Sequence, residues 1–92
     1  MNPTVSRQLE IINVKGLHAR ASAKFVDVVE RFDATVLVER DGMSVSGDSI
    51  MGLLMLTAPR GSTIQITTSG TEAVALADAL EALVTDYFGE GM

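Results

Sequence analysis

From Gln8 to Val14, Leu9 and Ile11 alternate with Gln8 and Glu10, a period of two that predicts a strand with one buried face. The β-branched run Thr35 to Arg40, TVLVER, alternates as well. Asp41-Gly42 then signals a tight hairpin into a brief strand at Met43 to Val45. Thr63 to Thr68 predicts a fourth strand, with Ile64 and Ile66 on one face and Thr63, Gln65 and Thr67 on the other. After His18 the period changes. Apolar residues recur at Ala21, Phe25, Val28 and Phe32, while Arg20, Lys24, Asp27 and Arg31 follow the same steps on a neighbouring stripe, which predicts an amphipathic helix. Ser49 to Thr57 reads as a short helix closed off before Pro59. The last helix is expected to open on a capping box, Ser69-Gly70-Thr71-Glu72, and to carry Ala73, Leu76, Leu80, Leu83, Val84 and Tyr87 on its apolar face.

The order is therefore β-α-β-β-α-β-α. A four-stranded antiparallel sheet with three helices on one face buries the apolar sheet face against the apolar helix stripes and leaves the other face in water. The expected fold class is α+β, an open-faced β-sandwich. With 92 residues, 47% of them hydrophobic, one core and a single domain over residues 1–92 are expected.

Composition narrows the function. A net charge of -5 argues against nucleic acid, whose binding rests on many Lys and Arg contacts to phosphates. There is no Cys, so disulfides and thiolate metal sites are excluded. The longest apolar stretch, Ile50 to Leu56, is far too short to span a bilayer, and no leader pattern opens the chain, so a cytoplasmic location and no membrane partner are expected. Charge is unevenly spread. Residues 15 to 31 hold four basic and two acidic side chains, whereas from Thr71 onward there are five acids and no Lys or Arg. The only histidine, His18, sits in the basic part, a placement that suits an anionic group.

His18 also lies where a loop turns into a helix. A helix N-terminus offers unpaired N–H groups and the positive end of the macrodipole, so it is a ready anion site. A neutral imidazole is a nucleophile near neutral pH, and a phosphoryl group attached to it would carry its charge into those N–H groups, with Arg20 as a further donor. The plain alternative is a histidine that only caps the helix or decorates the surface. A metal site is a poor fit, because one His without Cys or a carboxylate cluster cannot supply three or four ligands. A Ser-His-Asp hydrolase fits no better, for want of a nucleophile elbow and of room for a deep pocket.

The block GLHARASAKFV from Gly16, the block DSIMGLLMLTAPRG from Asp48 and the element order together resemble the HPr family, the histidine-containing phosphocarriers of the phosphoenolpyruvate-dependent phosphotransferase system, from about Gln8 to Tyr87. The segments FDATVLV and LLML resemble the nitrogen-related branch more than the sugar-transport branch. The resemblance implies a carrier rather than an enzyme, with no cofactor. His18 would accept a phosphoryl group on Nδ1 from Enzyme I and pass it to a IIA-type protein. Arg20 would steady that group, and Ser49 would be the position at which some lineages are regulated by HPr kinase/phosphorylase. It also implies a docking surface of Ala19, Lys24, Ile50, Met51 and Leu54. One position departs from the family pattern: Ala21 stands where most members have Pro, which restores an N–H in the first helical turn and leaves the helix start less pre-organised.

Ser49 reads equally as an ordinary N-cap, and a phosphate there would act mainly on what docks at that helix. The helix itself is apolar nearly all round, so its Met and Leu side chains form either a docking patch or deeper core. A monomer satisfies every feature of the sequence. The alternative function is a regulatory module of the same fold that binds partners according to its phosphorylation and forwards nothing.

Overall fold

The computed structural model describes residues 2–92. Its elements are β1 (Thr4–Glu10), α1 (Ala19–Val29), β2 (Thr35–Arg40), β3 (Met43–Ser46), α2 (Ile50–Met55), β4 (Thr63–Ser69) and α3 (Ala73–Thr85), followed by a 3₁₀ turn at Tyr87–Gly89. The strands form one antiparallel sheet in the order β1-β4-β2-β3. Register sets the two faces. Leu9 lies opposite Ile64, and Val38 opposite Ile66, so their side chains share the buried face. On the other face a polar row runs from Gln8 through Gln65 to Glu39, all exposed. The core packs this apolar sheet face against Phe25 and Val29 of α1, Leu53 of α2, and Leu76, Leu80 and Val84 of α3. The α+β open-faced sandwich expected from periodicity is the observed architecture. At the β2–β3 hairpin, Asp41 and Gly42 both have positive φ, 51° and 81°, the backbone of a primed two-residue turn.

Four local expectations need correction. β1 covers Thr4–Glu10 rather than Gln8 to Val14. Its period is masked because Arg7 occupies an inward position, where it reaches past the core to Asp78 at 2.7 Å and Glu81 at 3.0 Å on α3. Beyond Glu10 the chain leaves the ladder, although Ile11 and Asn13 remain fully buried. In α1 the buried face is Ala21, Ser22, Phe25, Val26 and Val29, while Val28 and Phe32 are only partly buried, so the stripe is rotated from the expected one. The capping box does not form. Ser69 is the last residue of β4, and Glu72 Oε1 accepts instead from the Asp33 N–H at 2.6 Å, tying the start of α3 to the α1–β2 loop.

The fourth correction bears on the site. α3 ends at Thr85 instead of carrying Tyr87 on its apolar face. Tyr87 and Phe88 take left-handed φ of 57° and 52°, a conformation that costs roughly 1–2 kcal/mol per non-Gly residue. Phe88 is fully buried, and filling the core with its ring offsets that cost by about 1.5–3 kcal/mol. The turn sends the chain back toward the start of α1, where Lys24 Nζ donates to the Phe88 carbonyl at 2.7 Å. Among the described residues no helix is long and apolar enough to cross a membrane.

Candidate functional site

The loop before α1 is held by the backbone. Gly16 has φ +67°, and a Cβ there would lie 2.6 Å from the Ala58 carbonyl oxygen, so only glycine lets the chain pass. The next residue, Leu17, donates its N–H to that same oxygen at 2.9 Å. This fixes His18 as the N-cap of α1, with extended backbone at φ -80° and ψ -176°. Its carbonyl accepts the Ser22 N–H at 2.8 Å, the first bond of the helix.

The two ring nitrogens of His18 face different partners. Nδ1 accepts the Arg20 backbone N–H at 3.2 Å, replacing the Ser, Thr, Asp or Asn oxygen usual at this position. Nε2 is hydrogen-bonded to the Glu90 carboxylate. A nitrogen that accepts carries a lone pair and one that faces a carboxylate donates, so the geometry fits the tautomer with its hydrogen on Nε2. Nδ1 is the nucleophilic atom.

Glu90 is itself held. Asn13 Nδ2 donates to Glu90 Oε1 at 2.9 Å and to the Gly16 carbonyl at 2.8 Å, bridging the C-terminal turn to the loop that sets His18. Burial works against the Glu90 carboxylate, but hydrogen bonds from Asn13 and from the His18 ring, together with the nearby positive charge of Lys15, hold its carboxyl below the usual range. Beside the ring lies an open cavity of about 460 Å³ lined by Lys15, Arg20, Lys24 and Glu90 with Val14, Gly89 and Met92. Arg20 is exposed, and its guanidinium makes no hydrogen bond or ion pair among the described residues. The arrangement is a nucleophilic nitrogen at a helix N-terminus, close to the exposed Arg20 and beside an open cavity that Lys15 and Lys24 also line.

The expected docking residues divide. Ala19 is exposed at the first position of α1, but Lys24 is half-buried and its ammonium is bound to the Phe88 carbonyl. On α2, Ile50 is 39% exposed and Met51 70%, Leu54 is half-buried, and Leu53 and Leu56 are buried. One side of this helix is therefore core and the other is exposed. Met55, 60% exposed, extends the patch beyond the expected residues. The far end of α2 leads into Thr57, Ala58 and Pro59, which border His18. Ser49 is the N-cap of α2, its Oγ accepting the Gly52 N–H at 3.0 Å. Sequence reasoning missed Glu90 and Asn13. Glu90 follows an apolar helix with no local pattern of its own, and its only signal is that Gly89 and Gly91 flank it.

A family model described as "PTS HPr component phosphorylation site" matches residues 5–86. The chain is similar to the phosphocarrier protein HPr of Neisseria meningitidis, 44% identical over 87 residues that cover 95% of this chain and 98% of the relative. It is similar too to the phosphocarrier protein NPr of Shewanella violacea, 40% identical over 94% of each chain. Among solved structures, HPr from Thermoanaerobacter tengcongensis superposes with a TM-score of 0.91 at 33% identity, over 96% of this chain and 99% of that one.

Proposed function

The chain belongs to the HPr family of phosphocarriers of the phosphotransferase system, and on that premise we propose that His18 is its phosphoryl acceptor, at Nδ1. The observation that carries this reading is the position of Nδ1, which accepts a backbone N–H of the first turn of an eleven-residue helix. Phospho-Enzyme I supplies the group. The Nδ1 lone pair forms the new N–P bond as the donor's P–N bond breaks, and that electron pair returns to the donor ring. The Arg20 N–H, released from Nδ1, is then free for a phosphoryl oxygen, and the Arg20 guanidinium adds a charge-assisted donor. Ala21 keeps an N–H in the same turn. The reverse chemistry hands the group to a histidine of a IIA-type protein.

In this reading the exposed side of α2, Ile50 and Met51 with Leu54 at its margin, and Ala19 receive both partners in turn. Lys24 serves the site by anchoring the Phe88 turn. Met adapts its shape to more than one partner surface. Ser49 is the regulatory position, modified by HPr kinase/phosphorylase where that enzyme is present; its phosphate would sit beside Ile50 and Met51 and act on docking. Every group of the site comes from one chain, so a monomer suffices, and the carrier works in the cytoplasm beside Enzyme I.

The test is intact-mass spectrometry after incubation with phosphoenolpyruvate, Mg²⁺ and Enzyme I. One acid-labile phosphoryl group on the native chain, absent from His18→Ala, is expected. Modification that persists in His18→Ala, or none on the native chain beside an active Enzyme I control, would overturn the reading.

A further inference from the structure

We propose that Glu90 is a positioning residue for onward transfer: its carboxylate keeps the proton on Nε2 while Nδ1 carries the phosphoryl group. This rests on the reading of His18 just given. The geometry supports it from both sides of the ring. Nδ1 faces α1 and Nε2 faces Glu90, so phosphorylation at Nδ1 leaves the contact to the carboxylate in place. Asn13 fixes the other carboxylate oxygen, and the Phe88 turn, held by Lys24, fixes the backbone beside it.

The chemistry explains why that proton matters. When Nδ1 gives up the phosphoryl group, the N–P bond breaks and its electron pair returns to the ring. With a proton on Nε2 the ring leaves as neutral imidazole; without it, the leaving group is an imidazolide anion, a far worse one. The protonated phosphoryl ring is positive at Nε2, and an opposite charge in hydrogen-bond contact favours that form. The charged groups around the ring divide. Lys15, which lines a groove with His18, and Arg20, which follows the ring on α1, oppose the proton, with Lys24 farther off across the adjoining cavity, while Glu90 and the phosphoryl group favour it. On the remaining side Leu17, Thr57, Ala58 and Pro59 bring no charge. Glu90 is thus the only protein carboxylate at the ring among the described residues.

The experiment titrates the phosphorylated protein by ¹⁵N NMR of the ring, on the native chain, Glu90→Gln and Glu90→Asp. Phosphorylation uses Enzyme I and phosphoenolpyruvate. If Enzyme I gives no adduct, the reading of His18 fails, and phosphoramidate is used so that the titration is still read. Glu90→Gln keeps the shape without the charge and is expected to lose the Nε2 proton at a pH about one unit lower. Transfer to a IIA-type acceptor should fall off at the same lower pH, and Glu90→Asp should recover part of the difference. Equal titrations in the native chain and Glu90→Gln would overturn the proposal. If the amide shifts of residues 87–90 show that Glu90→Gln loses the turn, the native phosphoprotein decides alone. A low-field Nε2 proton hydrogen-bonded to Glu90 sustains the proposal, and its absence overturns it.

Discussion

His18 and Glu90, 72 positions apart in sequence, are joined through Nε2 and a carboxylate oxygen, so the last turn of the chain closes over the residue that caps the first helix. The contact also ties that turn to the fold. Because the folded state holds the Glu90 carboxyl below its ordinary 4.5, its contribution to stability is complete above that pH and is lost as pH falls through the lower folded-state value. Urea unfolding from pH 7 to pH 3 should therefore show Glu90→Gln less stable at neutral pH, with the gap to the native chain closing in acid. A gap that stays constant would mean that ionisation of Glu90 contributes nothing.

Arg20 makes no contact that the fold needs. Arg20→Ala should leave the melting temperature within a degree or two while slowing phosphoryl gain from Enzyme I. One charge-assisted hydrogen bond, worth about 1.5–3 kcal/mol, corresponds to roughly tenfold to a hundredfold. Rapid-quench kinetics check it, and an unchanged rate would leave the phosphoryl group to the backbone donors.

The two sides of α2 should separate cleanly. Met51→Glu, at a position 70% exposed, should keep the fold and weaken Enzyme I binding by more than about 1 kcal/mol, read by calorimetry. Leu53→Ala, in the same buried core as Phe25, should instead cost about 2–5 kcal/mol of stability. Normal binding by Met51→Glu would remove α2 from the interface.

Ser49 has a structural task whatever its regulation. Ser49→Ala removes the bond from the Gly52 N–H and should destabilise the domain by about 1 kcal/mol in denaturant titration. The same variant should resist ATP-dependent modification by the cognate kinase. Modification that persists would place regulation elsewhere.

The fold was largely legible because its sheet and helices obey strict periods. Ile64 and Ile66 alternate with polar neighbours, and the observed β4 buries them as expected. Where a residue breaks the pattern for a tertiary reason, the reading slipped. Arg7 points inward to reach α3, which hid the true extent of β1, and Glu72, expected to complete a capping box with Ser69, stands at the N-cap position itself and serves the backbone of Asp33. Of the candidate site, the places of His18 and Ser49 at two helix starts were legible because helix starts have local rules. Glu90 and Asn13 were not, since what brings them to the ring is the pair of left-handed residues Tyr87 and Phe88 and the burial of Phe88. No local period encodes such a return.

The central claim is that His18 relays a phosphoryl group. The direct measurement is a chase: the chain is labelled with ³²P through Enzyme I, purified away from it, and mixed with a IIA-type acceptor in the absence of phosphoenolpyruvate. Label should leave His18 and appear on the acceptor, with His18→Ala never labelled at all. Label that remains on His18 beside a competent acceptor would contradict the relay and leave a regulatory binding module of the same fold.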